Sequence, residues 1–525
     1  MGYNLRVHKH EIKRILYFLD FPSGFGGTAN TLLKQAQLMR AKGLDVIMTI
    51  PVDEDGKTTD EFELRCRKYH LPFHFISYVV TATPEDIDVV SLISGYEDMK
   101  EYIYALDPDI VHSTQINVSV EMVCRELSIP HIMNIYQIEG FFFRLDFPEI
   151  FPKYHICDSE LYRKAWEKYI GCDSVCIRNS CDYIPDNEEK YGGVVIACVG
   201  TLCERKNQLE AIKAVHLLIK AGLDICLHLY GNIVEEYGEQ CRNYVRQNNL
   251  EEKIKFKGFV PFAEKEIEKC AALVCASKTE SFPNVISEAI AAGIPVISTP
   301  VAGVPELLKD LENAYITSGY KAEDIYVSLR TYYEQRGTKK QEEIVKCARE
   351  TYNENFAPST VSKKLMDYYE YVKKDFDNKE SSNLGIDWFI RRYGDLVSAF
   401  RLNESCFTRS VGMRKMIWQI PYIKERIQKY SMGNKLIIWG AGTYGAEAKT
   451  YAELFFEELE IKGFVDQKKT GYYLEYPIFN SDRKNWEDCI IWIANLIGQQ
   501  DIYNLLQDAG KEYQKDFFII GPRLW

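Results

Sequence analysis

No Cys-x-x-Cys pair occurs in the 525 residues, although the chain holds 15 cysteines. Scattered cysteines in odd number fit reduced side chains packed as small apolar residues, not a disulfide framework or a zinc site. No apolar run approaches the ~18–20 residues of a membrane span. Positive charge is not in excess: 64 Lys and Arg stand against 76 Asp and Glu, a net charge of −12. That argues against a protein whose main task is gripping nucleic acid, while leaving room for a local basic site for phosphate. Low-complexity tracts and short-period repeats are missing. Met1–His10 is polar and basic and has no apolar stretch before a small-residue cleavage site. A cytoplasmic protein is therefore expected. What remains is ordinary globular composition, 46 % hydrophobic and 27 % charged. At this length it predicts about three domains and rules out general disorder.

The patterning predicts α/β units with parallel sheets. Residues 12–20 form a short apolar run, a glycine turn follows, and Thr28–Lys42 carries Leu32, Leu33, Ala36 and Met39 at helical spacing. Gly43 ends that helix and Leu44–Ile50 reads as the next strand. Strand, glycine turn, helix and strand make a βαβ unit. The pattern continues through Ile110–His112 and His131–Ile135, giving a first domain over 1–188. A second begins with the doubly buried strand Gly193–Val199 and runs over 189–375. Residues 376–432 read as a linker and a basic aromatic helical connector. From 384 to 435 there are ten Lys or Arg against four Asp or Glu. A third, smaller Rossmann-like domain is expected over 433–525.

Four segments each follow a strand, where open parallel sheets bind ligands. Gly26 and Gly27 precede a helix, whose free N–H groups and positive dipole end suit an anion; an ordinary βα turn would use the same glycines. Arg205 and Lys206 sit side by side between a buried strand and the next helix. They suit a diphosphate, or form a solvated pair. In Glu280-Ser-Phe-Pro-Asn-Val-Ile-Ser-Glu288, Phe282, Pro283, Asn284 and Val285 open a helix. Glu288 lies about one turn further along it. Carboxylates there can accept from sugar hydroxyls, and the N–H groups near Asn284 and Val285 can hold phosphate; a capped helix with solvated acids is the alternative. Thr299–Glu306 follows the next strand and could wall the same cleft.

In this order, the segments resemble retaining glycosyltransferases of family 4 with the GT-B fold. Gly26-Gly27, Asp107-Pro-Asp-Ile-Val-His112, Asn179-Ser-Cys-Asp182, Glu280 to Glu288 and Ala291-Ala-Gly-Ile-Pro-Val296 with Gly303 and Glu306 carry the resemblance, over roughly residues 10–375. It implies a nucleotide-diphosphate sugar donor held mainly by the second domain, and a sugar-, lipid- or protein-linked acceptor on the first. Glu288 would bond the donor ribose and Glu280 the transferred sugar. Arg205 and Lys206 would stabilise the leaving diphosphate, with no metal or other cofactor required. Asp-x-Asp pairs placed to hold a metal are lacking. Many members have Arg where this chain has Thr201, and His near the reacting sugar where it has Tyr136. Tyr136 is therefore a sugar-proximal candidate, and His112 is expected to pack at a strand end. A non-catalytic partner subunit remains an alternative. An epimerase on the same scaffold is weakened by having few histidines near the motifs.

Gly440-Ala-Gly-Thr-Tyr-Gly445 follows a strand, and Asp466 ends the next strand. That is the context in which Gly440, Gly442 and Gly445 cradle a dinucleotide and the acid bonds a ribose. The unit also resembles small Rossmann-like domains found beside bacterial sugar transferases, of which some bind nucleotide sugars. Residues 388–430 are expected to connect domains or to lie on an anionic membrane surface. A homo-oligomer is left open.

Overall fold

The computed structural model describes residues 11–19, 27–51, 60–76, 89–114, 118–136, 153–170, 173–182, 190–260, 263–377, 391, 420–430, 433–495 and 498–520. Gly26, the polar stretch 183–189 and most of 388–430 lie outside them.

Three sheets organise these residues. The first holds β1 (Arg14–Phe18), β2 (Asp45–Pro51), β3 (Phe73–Ile76), β4 (Ile110–Thr114), β5 (His131–Ile135), β6 (Tyr154–Cys157) and β7 (Asp173–Cys176). Their order across the sheet is 3-2-1-4-5-6-7. The second holds β8 (Val195–Val199), β9 (Cys226–Tyr230), β10 (Ile254–Gly258), β11 (Ala272–Cys275), β12 (Val296–Ser298) and β13 (Tyr315–Ile316), in the order 10-9-8-11-12-13. Both sheets are parallel throughout. The third holds β14 (Lys435–Trp439), β15 (Glu460–Val465), β16 (Gly471–Tyr473), β17 (Tyr476–Phe479), β18 (Ile490–Ile493) and β19 (Phe517–Ile519). It runs 16-17-15-14-18-19, with β16 alone antiparallel to its neighbour.

The central strands read as continuous apolar runs because helices cover both faces. On the first sheet, Leu32, Leu33, Ala36 and Met39 of the helix Gly27–Ala41 fill one face. The same core takes Val361, Leu365, Tyr369 and Val372 from the helix Pro358–Asp377. That helix follows the second sheet in sequence but packs on the first, so the chain crosses back and ties the two units together. A buried polar chain marks the crossing. Tyr369 Oη lies 2.8 Å from Tyr17 Oη and 2.6 Å from His112 Nδ1, and His112 Nε2 lies 2.9 Å from Asn134 Oδ1. Burial pushes His112 down to about 3, so it stays neutral and packs at the strand end.

The third unit shares a core with the first. Ile438, Tyr451 and Trp492 join Phe18, Met99 and Val123 in one cluster. Ile420, Ile423 and Ile427, on one face of the helix Ile420–Lys429, are buried in it too. This described part of the basic aromatic stretch is therefore a connector packed between units, and its apolar face is not available to a membrane. Among the described residues no helix is long and apolar enough to cross one.

Candidate active site

The carboxyl-terminal ends of the first two sheets face a cleft of about 760 Å³. Gly27, Tyr136 and Asp158 line it from the first unit. Thr201, Arg205, Lys206, Glu280, Phe282, Asn284, Val285 and Glu288 line it from the second. Every described candidate of the two-unit site except Pro283 thus borders one space. Pro283 is buried as the N-cap of the helix Asn284–Ala291.

The floor is built from two tight turns after β8 and β9. Gly231 has φ +141°, and a Cβ there would lie 2.2 Å from the Gly200 carbonyl oxygen. Only glycine lets the two backbones meet. Gly231→Ala should therefore destabilise the protein by about 1–3 kcal/mol through strain and overpacking. Urea unfolding followed by fluorescence checks it, and an unchanged midpoint would contradict this packing.

After Gly200 the chain makes a short 3-10 turn, Glu204–Lys206, closed by Asn207 in the left-handed region at φ 59°. Asn207 Nδ2 donates to the carbonyls of Ala276 (3.1 Å) and Tyr320 (2.9 Å). The turn is thereby pinned beside the end of β11. This brings both cations to Glu280: Arg205 Nη1 lies 2.7 Å from Glu280 Oε1, and Lys206 Nζ pairs with the same oxygen. Ser277 Oγ also donates to Oε1 at 3.3 Å. Glu280 itself borders the cleft.

The N-cap of the helix Asn284–Ala291 is Pro283, which makes no side-chain cap bond, and Asn284 and Val285 of its first turn line the cleft. Glu288 sits one turn on, on the same face. Burial pushes its carboxyl up to about 7, with Glu264 pushing the same way and Arg65, Lys34 and Lys206 pulling back.

Sequence reasoning missed Asp158, which is only 3 % exposed at the end of β6. Burial raises it to about 7. Its carboxylate accepts from Ser281 Oγ and, at 3.3 Å, from Asn179 Nδ2. Arg65, also buried, lines the cleft from the first unit. Neither belongs to a recognisable local motif; their neighbours come from distant segments. Glu306, which the sequence set beside the cleft, joins the units instead. Its two oxygens accept from the backbone N–H of Glu160 (2.9 Å) and Leu161 (2.8 Å), and it pairs with buried Arg178.

In the third unit the Asp466 carboxylate accepts from its own loop: Ala441 N at 3.0 Å, Lys468 N at 2.8 Å and Lys469 N at 3.1 Å. Burial raises this carboxyl, but the three N–H donors prevail and hold it below the ordinary range. Lys469 Nζ reaches the Ala441 carbonyl, and Tyr473 Oη donates to the Gly442 carbonyl at 3.0 Å. A Cβ on Gly445 would lie 1.9 Å from the Gly440 carbonyl oxygen, so close packing of helix on turn accounts for that glycine. Gly440, Gly442 and Asp466 thus meet in one turn tied by these bonds.

Solved structures share the two-unit architecture. A glycosyltransferase from Rickettsia africae superposes with a TM-score of 0.59 at 16 % identity, over 69 % of this chain and 99 % of that one. Anabaena HepE in complex with UDP-glucose gives 0.57 at 16 % identity, over 68 % and 99 %. The fold is GT-B. In sequence, residues 182–351 match the family described as glycosyl transferases group 1. The GT-B body is similar to the putative colanic acid biosynthesis glycosyltransferase WcaL of Escherichia coli, 26 % identical over 178 residues. It is similar also to poly(glycerol-phosphate) alpha-glucosyltransferase of Bacillus subtilis, 27 % identical over 176. Each match covers 32 % of this chain, and 43 % and 25 % of the two relatives. The chain thus spans less than half the length of these curated relatives.

Proposed function

We propose that the chain is a retaining glycosyltransferase of family 4. It would move a hexosyl group from an α-linked nucleotide-diphosphate sugar, a UDP-sugar first, to an acceptor hydroxyl in bacterial surface polysaccharide or glycoconjugate synthesis. The observation that carries this reading is the convergence of Arg205, Lys206, Glu280 and Glu288 on one cleft at the strand ends of a GT-B fold. The UDP-glucose in the HepE structure and the polysaccharide role in the WcaL name support the donor and the setting.

In this reading the bond from the anomeric carbon to the diphosphate oxygen breaks, and a bond to the acceptor oxygen forms on the same face. The acceptor proton passes to the departing diphosphate. Arg205 and Lys206 neutralise the charge that grows on the leaving group, and Glu280 Oε1 holds both cations in register while they wait. Fixed charges aimed at developing charge are the usual source of most catalysis. The N–H groups at Asn284 and Val285 would bind a phosphate oxygen, Glu280 a sugar hydroxyl, and Glu288 the ribose. Tyr136 would face the sugar from the acceptor side. Two cationic side chains would then do what a divalent metal does elsewhere, and no other cofactor is needed.

Glu288 gives this reading a pH signature. Its carboxyl in the folded protein is raised from 4.5 to about 7. The folded state therefore holds a proton that the unfolded state has released between those values. The stability this contributes is full below pH ~4.5 and lost as pH rises through ~7. Ribose hydroxyls donate to the carboxylate, so nucleotide binding should strengthen over the same rise. Calorimetric titration of UDP at pH 6 and pH 8 should show tighter binding at pH 8, with the difference reduced in Glu288→Gln. Equal pH dependence in both proteins would count against Glu288 as the ribose ligand. A transfer assay that follows released nucleoside diphosphate tests the function itself.

A further inference from the structure

We propose that Asp158 is a positioning residue of the donor site. Through Asn179 it turns the amide of Asn284 so that its NH2 group faces the cleft. The inference rests on the functional reading above.

The argument is one of donors and acceptors. Above pH ~7, the value to which burial raises it, the Asp158 carboxyl is ionised and can only accept. Asp158 Oδ1 takes the Ser281 hydroxyl, and Oδ2 takes Asn179 Nδ2 at 3.3 Å. Asn179 Nδ2 also donates to Asn284 Oδ1 at 2.7 Å. Both functions of the Asn179 NH2 are thus spent on oxygens. Its own oxygen is buried and takes no partner among the described residues. An amide does not leave its acceptor bare without cause, because a buried unsatisfied oxygen is costly. The carboxylate supplies the cause: facing Asp158, Asn179 must present nitrogen. Asn284 must then present oxygen to Asn179, which leaves Asn284 Nδ2 for the cleft. That nitrogen lies 3.5 Å from where a Cβ on Gly27 would stand, at the facing glycine turn of the first unit.

A hydrogen-bond donor there suits a phosphate oxygen, and the flipped amide would present an oxygen and repel it. The first unit thereby sets the polarity of a phosphate contact in the second. Without Asp158, Asn179 is free to turn its oxygen to Asn284 Nδ2, and Asn284 then shows the wrong atom.

The test is a double-mutant cycle on UDP affinity, measured by calorimetry on the full chain at pH 8, where Asp158 is ionised. Wild type, Asp158→Ala, Asn284→Ala and the double variant are compared, with thermal unfolding of each as the fold control. Each single variant should weaken UDP by about tenfold, the scale of one charged hydrogen bond. The double variant should be no weaker than either single, because both remove the same contact. A loss of packing alone would lower stability without this non-additivity in binding. If Asp158→Ala fails to fold, Asn179→Ala runs the same cycle through the middle of the relay, with the same expectation. Wild-type affinity in Asp158→Ala, or losses that simply add, overturns the proposal alone. If the wild type binds none of UDP, GDP and ADP, the functional reading fails and this inference falls with it.

Discussion

Lys206→Ala should lower turnover about 10²–10³-fold while leaving the fold intact, the usual effect of removing one preorganised donor from a developing anion. The ammonium is held in place by its surroundings. Its stem lies along Gly200, with Lys206 Cε 3.4 Å from where a Cβ on that glycine would stand. Its charge meets Glu280, and its side chain is 17 % exposed. Arg205 is 49 % exposed and bonds the Thr279 carbonyl at 2.9 Å, so water screens it more and it can compensate only in part. Single-turnover measurement of released diphosphate checks the prediction, with far-ultraviolet circular dichroism for the fold. A loss below threefold would mean that the leaving group draws its stabilisation from elsewhere.

Glu306→Ala should destabilise the chain by about 3–5 kcal/mol, because it strands Arg178 as a buried, unpaired charge. Arg178 is 5 % exposed; it also donates to the Asp158 carbonyl and lies over the Phe282 ring at 5.2 Å. The same substitution uncaps the helix Glu160–Ile170, whose first N–H groups depend on a carboxylate from the other unit. The joint between the units should loosen as the protein weakens. Urea unfolding should show a lower midpoint and a separation of the transitions of the two units. An unchanged, single transition would mean that the crossing helix Pro358–Asp377 alone holds them together.

The elements that bear the site were legible because their signals are local. A doubly buried strand, a turn with two cations, and acids at each end of a short helical segment announced Arg205, Lys206, Glu280 and Glu288. The structure gathers them because parallel strands deliver their following turns to one edge. What was illegible depends on distance along the chain. Asp158 meets Ser281 across 123 positions, and no local pattern marks a residue whose partner is that far away. The sequence placed the crossing helix within the second unit, and its destination on the first sheet follows only from the assembled core. The spacing of Asp466 did not show its loop contacts either: an acid at the end of a second strand has the same spacing whether or not it also ties down its own glycine turn, as the three backbone N–H groups within 3.1 Å do here.

The most direct measurement is a thermal-shift screen of the full chain against a panel of nucleotide sugars, repeated on Glu288→Ala. A ligand that binds only the native state raises the unfolding temperature, by about 2.7 kcal/mol of stabilisation at a hundredfold excess over Kd. The account predicts a shift from one nucleotide sugar in the wild type and its loss in Glu288→Ala. No shift from any member of the panel, or a shift that Glu288→Ala keeps in full, would contradict a donor site in the cleft between the first two sheets.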